Sequence, residues 1–385
     1  MKKVNIKLLT ALLAAALIAG VTIFYACKKE ENANNGILKS PPMSEELRVL
    51  YGSLPDVDFG NITLLNGEIL KFESFEHYEQ VYEDLLMLCE TWNDLFFATY
   101  DSIPENELDS LIRQLGFDEY LPLLKFEELY GIAGNNLRYE VEQNEEMWLN
   151  GCAVGTLPFD EIVPCPVEQT LFSKWHEVAI GDTICQMRKG CFEVYIPVSD
   201  IQYINIIRNV TKLELLTKAP VQGLPNSVTY YRDPFYDTGG CYEPLGYAKS
   251  GTQPHLLDNN YRFYWGFNFR YRNFWKYAET VVTMKNYKLV NGVWEKNRKA
   301  TCALGSITKL YNGGVDPNYI CDEVGPVKLY MNTPNNAFSR TRRIGFGNMI
   351  FINSYLRCDA NSSEVLCRLY GKDYVINAKT GALKN

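Results

Sequence analysis

Histidine is the scarcest chemistry-bearing residue in this 385-residue chain: there are three, His77, His176 and His255, and no two stand at the H-E-x-x-H spacing of a zinc pair. The G-x-S-x-G elbow, the G-x-x-x-x-G-K-[ST] phosphate loop and the G-x-G-x-x-G fingerprint are also missing. These absences remove the motif-defined metalloproteases, α/β-hydrolases, P-loop NTPases and dinucleotide enzymes. None of the eleven cysteines forms a C-x-x-C, so a zinc ribbon or thioredoxin-like site lacks its spacing. Cations after residue 150 are scattered among acids apart from Arg340, Arg342 and Arg343, so a nucleic-acid partner is not expected. A repeat of 20 to 50 residues is lacking too, which argues against a propeller or solenoid. A nucleophile assembled from Cys241 with His176 or His255 would need a thiolate beside a base, and a disulfide or buried thiol is the simpler account of Cys241. No catalytic residue, metal ligand or cofactor is assigned.

What is present begins with an address. Met1-Lys2-Lys3 and Lys7 precede an apolar run from Leu8 to Ala26 that ends Phe24-Tyr25-Ala26-Cys27. The run is nearly long enough to cross a bilayer, so length alone leaves an uncleaved anchor open. The small residue before Cys27 resembles the lipobox of bacterial lipoproteins, in which the thiol is acylated and becomes the new N-terminus. Lys28-Lys29-Glu30-Glu31 then resembles the lysine-then-acidic signal that sends Bacteroidota lipoproteins to the outer face of the outer membrane. The resemblance implies a signal peptide over 1–26, a lipid on Cys27 that ties the protein to the membrane, and a body facing the cell exterior. Residues 27–44, polar and proline-containing, read as a flexible tether.

Charge divides the rest. Residues 41–150 hold 24 Asp and Glu against 5 Lys and Arg, whereas 151–385 hold 20 against 27. Halves of opposite sign can attract across an interface, within the reach of about 8 Å that salt allows. In the acidic half (45–150), Ser74 is placed to cap a helix, with His77 where a capping box has Glu. Tyr78, Val81, Tyr82, Leu85, Leu88 and Cys89 then recur at helical spacing. Pro104 opens a second helix that Gly116 stops, and further helices are expected near 120–130 and 138–149. After residue 150, runs rich in β-branched and aromatic residues alternate with Gly, Pro and Asn clusters, and Asn291-Gly292 marks the best hairpin. The expected fold class is α+β, a helical acidic region followed by a mainly antiparallel, disulfide-bearing β domain over 151–385. The stretch from Asn66-Gly67 to Phe72, the helix after it and the Leu115-Gly116-Phe117 end resemble the N-terminal region of uncharacterised surface lipoproteins of Bacteroides, which implies a phylum and a compartment without an activity.

Nine cysteines follow residue 150, as disulfides in an oxidising compartment would require. Cys185 with Cys191, and Cys358 with Cys367, each bracket a turn between strand-like runs and are expected to bridge. Cys302 with Cys321 and Cys152 with Cys165 are proposed on loop size alone. One cysteine, Cys241 or another, is left over or pairs with Cys89.

Residues 261–275 carry nine aromatics and three arginines. As one strand, Phe263, Trp265, Phe267 and Phe269 share a core face, and Arg262, Tyr264 and Arg270 share the other, which offers an aromatic and cationic platform to a glycan or a surface protein. An ordinary aromatic ladder explains the same run. Asp101-Ser102-Ile103, Asp109-Ser110-Leu111 and Asp182-Thr183-Ile184 resemble the O-glycosylation acceptor of exported Bacteroidota proteins. The function expected is that of a non-enzymatic binding or structural surface lipoprotein; the alternative is an exported hydrolase acting on glycan or peptide.

Overall fold

The computed structural model describes residues 43–149, 163, 165–188, 192–210, 224–232, 247–256, 258–272, 277–298, 300–314, 322–332, 334–345 and 354–384. Helices and mostly antiparallel sheets make it α+β, as expected. The leader, Cys27 and the first residues of the chain lie outside the described residues, as do Cys152, Cys191, Cys241 and Cys321. Among the described residues no helix is long and apolar enough to cross a membrane.

Helices α1 (Glu45–Tyr51), α2 (Phe75–Thr99), α3 (Glu105–Leu115), α4 (Leu121–Tyr130) and α5 (Leu137–Leu149) form the acidic layer. Local chemistry sets their ends. Ser74 Oγ accepts from His77 N at 3.2 Å, and His77 Nδ1 in turn accepts from Glu73 N at 3.3 Å, so the imidazole serves one residue upstream of where a capping-box glutamate would. Gly116 adopts φ 73° and its N–H returns to Ile112 O, stopping α3 where a left-handed residue is needed. Trp92, Phe96, Leu108, Ile112 and Phe117 bury the α1–α4 contact.

The first sheet runs β1 (Thr63–Leu65), β2 (Ile69–Phe72), β3 (Glu177–Ile180), β4 (Thr183–Arg188), β5 (Phe192–Pro197) and β6 (Thr229–Arg232) in that spatial order. The β2–β3 pairing is parallel, Lys71 opposite Ala179, so strands from both sides of residue 150 share one sheet. Helix α6 (Pro166–Leu171) leads into β3, and α7 (Ile204–Asn209) packs Ile204 and Ile207 on its face.

The second sheet has β7 (Tyr247–Pro254), β8 (Tyr261–Arg272), β9 (Tyr277–Val290) and β10 (Val293–Lys296), with β14 (Ser339–Gly345) also on β9. Asn291 and Gly292, at φ 51° and 82°, make the tight β9–β10 turn, with Val290 facing Val293. The third sheet is built on β11 (Thr301–Gly314). It joins β12 (Asp322–Leu329), β13 (Asn335–Asn336), β15 (Ser354–Cys358), β16 (Glu364–Leu369), β17 (Lys372–Asn377) and β18 (Leu383–Lys384). Phe263, Trp265, Phe267 and Met284 of the second sheet interdigitate with Leu304, Val365, Leu369 and Ile376 of the third. The opposite face of the second sheet, with Tyr264, Val281 and Tyr287, packs into the core of α2, α4 and the first sheet.

Register separates one proposed disulfide pair, Cys358 and Cys367; Cys191, Cys321 and Cys152, proposed for Cys185, Cys302 and Cys165, lie outside the described residues. Cys89, Cys165, Cys185, Cys302, Cys358 and Cys367 are all buried. Cys185 faces Tyr195 across the β4–β5 hairpin, and Arg188 faces Phe192. Cys358 pairs opposite Leu310 and Cys367 opposite Leu304, because β15 and β16 run in the same direction along one edge of β11. Six residues of strand separate them, roughly 20 Å, far beyond a disulfide's reach. Alternating patterns locate strands; they do not show which strands are neighbours.

Candidate functional site

The acidic layer and the second sheet meet through buried ion pairs, with acids from before residue 150 and cations from after residue 277. Glu145 Oε2 lies 2.5 Å from Lys285 Nζ, both side chains 4% exposed, and Glu145 Oε1 accepts from Tyr287 Oη at 2.7 Å. Glu119 takes Lys296 at 3.0 Å and Arg298 at 2.8 Å. Burial works against its ionisation, yet the two cations hold its carboxyl well below the usual range. Next to it, burial and the Glu119 charge push Asp118 up to about 6. Lys288 pairs with Asp109, and Arg343 spans Glu79, Glu83 and Glu279. Within the layer, Arg138 joins Glu127 and Glu142. Apart from Asp118, these carboxylates are paired with cations and clamp the helical layer to the sheet.

An exposed tryptophan stands out. Between α6 and β3 the chain turns through Ser173–His176: Trp175 N donates to Ser173 Oγ at 3.2 Å, and His176 takes φ 61°, a conformation uncommon outside glycine. Glu177 at the start of β3 is fully buried and accepts from Ser173 Oγ, Gln186 Nε2 and, in a fork, Arg208 Nε and Nη2. Arg208 also reaches Glu68 at 2.6 Å. Held by two carboxylates, its guanidinium sits 5.3 Å from the Trp175 ring centroid, and Lys174 Nζ lies 5.9 Å from the same ring. Trp175 remains 44% exposed, with Ile206 of α7, two residues from Arg208, 40% exposed. The result is a part-exposed indole with cations at its side.

A cavity of about 50 Å³ lies where α2, the segment before α4, the start of α6 and β14 converge. Cys89, Cys165, Tyr120 and Arg340 are among its walls. Burial raises both thiols, and Tyr82 Oη donates toward Cys165 Sγ at 3.3 Å. Arg340 is 6% exposed, and its Nη2 lies 3.5 Å from Asp94 Oδ1.

The residues singled out from the sequence are placed differently. Tyr264 is 2% exposed and packed under the acidic layer, so this member of the platform expected on β8 is an interior residue. Arg262 is half-buried with its guanidinium 4.0 Å from the Trp294 ring centroid. Arg270 belongs to β8, and its side chain lies outside the described residues. Ser102 and Ser110 are exposed and Thr183 is half-buried. Trp175 was passed over because a lone tryptophan between short elements has no periodic signal; the nearest hint is its position between Lys174 and His176. Among the described residues no group of three or more His, Cys, Asp or Glu is placed to hold a metal.

No family model matches the chain, and no curated protein matches it either. Among solved structures it is similar to a DUF4848 family protein from Bacteroides thetaiotaomicron VPI-5482, at 10% identity over 81% of this chain and 95% of that one, with a TM-score of 0.16. A likeness at that score carries no argument, and the functional reading rests on the chain's own residues.

Proposed function

We propose that the chain is a lipid-anchored binding protein of the outer cell surface, without catalytic turnover, that holds a glycan against Trp175. The resemblance of residues 1–31 to a lipoprotein leader supports the address, with Cys27 as the acylated residue. The observation that carries the binding reading is the indole itself: 44% exposed, with the Arg208 guanidinium, forked onto Glu177, 5.3 Å from its ring centroid. Trp and Arg are the residues in which binding energy concentrates, and a ring already held in place loses little entropy when a ligand stacks on it. Lys174 adds a charged donor at the ring's edge.

The test is a glycan array probed with the mature protein and with Trp175→Ala. Signal should be lost in the variant while its melting temperature stays close to that of the parent, because the ring is largely at the surface. Undiminished binding by Trp175→Ala would sink the reading. Turnover of a pooled glycan or peptide library by the folded protein would favour the hydrolase instead. Mass spectrometry of the mature N-terminus tests the address separately; an intact Met1 or an unmodified Cys27 overturns it.

A further inference from the structure

Charge is unevenly displayed around Trp175. The cations Lys174, Arg188 and Arg208 gather there with the carboxylates Glu68 and Glu177. Both carboxylates are turned onto Arg208, at 2.6 and 2.5 Å, and Glu177 is fully buried. Arg188 joins the network through Gln186 Oε1 at 2.8 Å and lays its two Nη atoms on the carbonyls of Val210 and Ile207 at the end of α7. The negative charge is thereby neutralised within the network. Lys174 differs: it is half-buried beside the indole, its Nζ 5.9 Å from the ring centroid, and among the described residues it has no carboxylate within ion-pair distance.

The backbone that carries Lys174 and Trp175 is pinned by short-range hydrogen bonds. Ser173 Oγ accepts from Trp175 N and Glu177 N at 3.2 and 3.3 Å, Ser173 O accepts from His176 N at 2.8 Å, and His176 O accepts from Met187 N at 3.0 Å. His176, at φ 61°, holds a left-handed backbone that costs a residue with a side chain, and such strain collects where the chain aims groups at a ligand. The cation and the indole are thus offered together. A hydroxyl of a sugar stacked on the ring would gain an ordinary hydrogen bond from the ammonium. A carboxylate or sulfate would gain a charge-assisted one, shorter and roughly twice as strong.

We infer that the glycan held at Trp175 is acidic, a sugar bearing a carboxylate or sulfate that sits on Lys174 while its ring stacks on the indole; this rests on the glycan reading of Trp175 and adds the ligand class to it.

The experiment is a glycan array in which each acidic member is printed beside its own carboxyl-reduced or desulfated form, oligogalacturonate and carrageenan oligosaccharides among them. It is probed with the mature protein, Trp175→Ala, Lys174→Gln and Lys174→Arg. Removing the acid group should weaken binding roughly fivefold, the scale of one exposed charge pair. Raising salt from about 0.1 to 1 M should remove the same preference. Lys174→Gln should bind the acidic and neutral forms equally, and Lys174→Arg should keep the preference. Whether the carboxyl-reduced or the desulfated pairs respond identifies the acid. Equal binding of the paired forms by the parent protein, or an unchanged preference in Lys174→Gln, overturns the acidic ligand and leaves Trp175 as a glycan site. Undiminished binding by Trp175→Ala, or no binding to any member of the array, overturns both.

Discussion

The second sheet is buried on both faces, by two different kinds of contact. Toward the third sheet, Phe263, Trp265, Phe267, Val282 and Met284 meet aliphatic side chains and thiols in an apolar core. Toward the acidic helices, the same strands offer Tyr264, Lys285 and Tyr287, and the contact is completed by Glu145 from α5. The apolar face is non-directional, and its stability grows with area removed from water. The polar face is directional: desolvating Lys285 and Glu145 is costly unless both are present, so it selects one partner and one register. A charge swing in the sequence thereby becomes an internal seam. The excess of acids in residues 41–150, 24 against 5 bases, is matched in part by cations that lie at least 140 residues further on.

The comparison can be broken most severely at its centres. Trp265→Ala should destabilise the fold by about 3 to 5 kcal/mol in denaturant unfolding, through lost burial and the cavity left behind. Gly251 and Gly381, whose Cβ atoms would press on that ring at 3.1 and 3.0 Å, leave no room for a larger replacement. Glu145→Ala should cost a similar amount, about 3 to 5 kcal/mol, because Lys285 is left charged and buried. The two faces then part. Adding Lys285→Met to Glu145→Leu should recover most of that loss, whereas no partner substitution restores Trp265. If the double variant is as unstable as Glu145→Ala, the ionic face is more than a partner-selecting contact.

A smaller effect probes pH. Burial and Glu119 raise Asp118 to about 6 in the folded state, above its ordinary value of 3.8. A raised carboxyl stabilises the fold where it is protonated in both states, and that contribution is lost as pH rises from about 4 through about 6. Asp118→Asn, whose amide oxygen can still accept from Tyr120 N, should therefore raise stability at pH 7 by about 1 to 2 kcal/mol and leave it unchanged near pH 4. Glu119 has the opposite sign. Held low by Arg298 and Lys296, it contributes above its ordinary pKa and loses that contribution as pH falls. A stability profile of Asp118→Asn that parallels the parent at all pH values would count against this division. The smallest change is local: Ser74→Ala removes the α2 cap and should cost about 1 kcal/mol, measured by the same unfolding.

Much of the local structure was legible because short-range physics decides it. Ser74, Gly116 and the Asn291-Gly292 turn act within four residues of themselves. The odd face of β8 follows from alternation over a long aromatic strand. The even face was misplaced for a reason that recurs with the cysteines. Periodicity separates two faces of a strand, but whether the second face meets water depends on an element elsewhere in the chain, here the acidic layer over Tyr264. Likewise Cys358 and Cys367 look like hairpin partners until β11 aligns β15 and β16 in one direction. The setting of Trp175 has no signature in the sequence because it depends on contacts from distant segments, Arg208 and Glu68.

The sequence by itself determined the α+β class, the helix caps, the Asn-Gly hairpin and the separation of charge about residue 150, because each is a property of neighbouring residues or of composition. Tertiary structure alone decided which charges meet, which thiols stay apart and which face of β8 is dry. Those outcomes depend on the parallel pairing of β2 with β3 and the docking of α2 and α5 on the second sheet, contacts between residues far apart in the chain that no local pattern encodes.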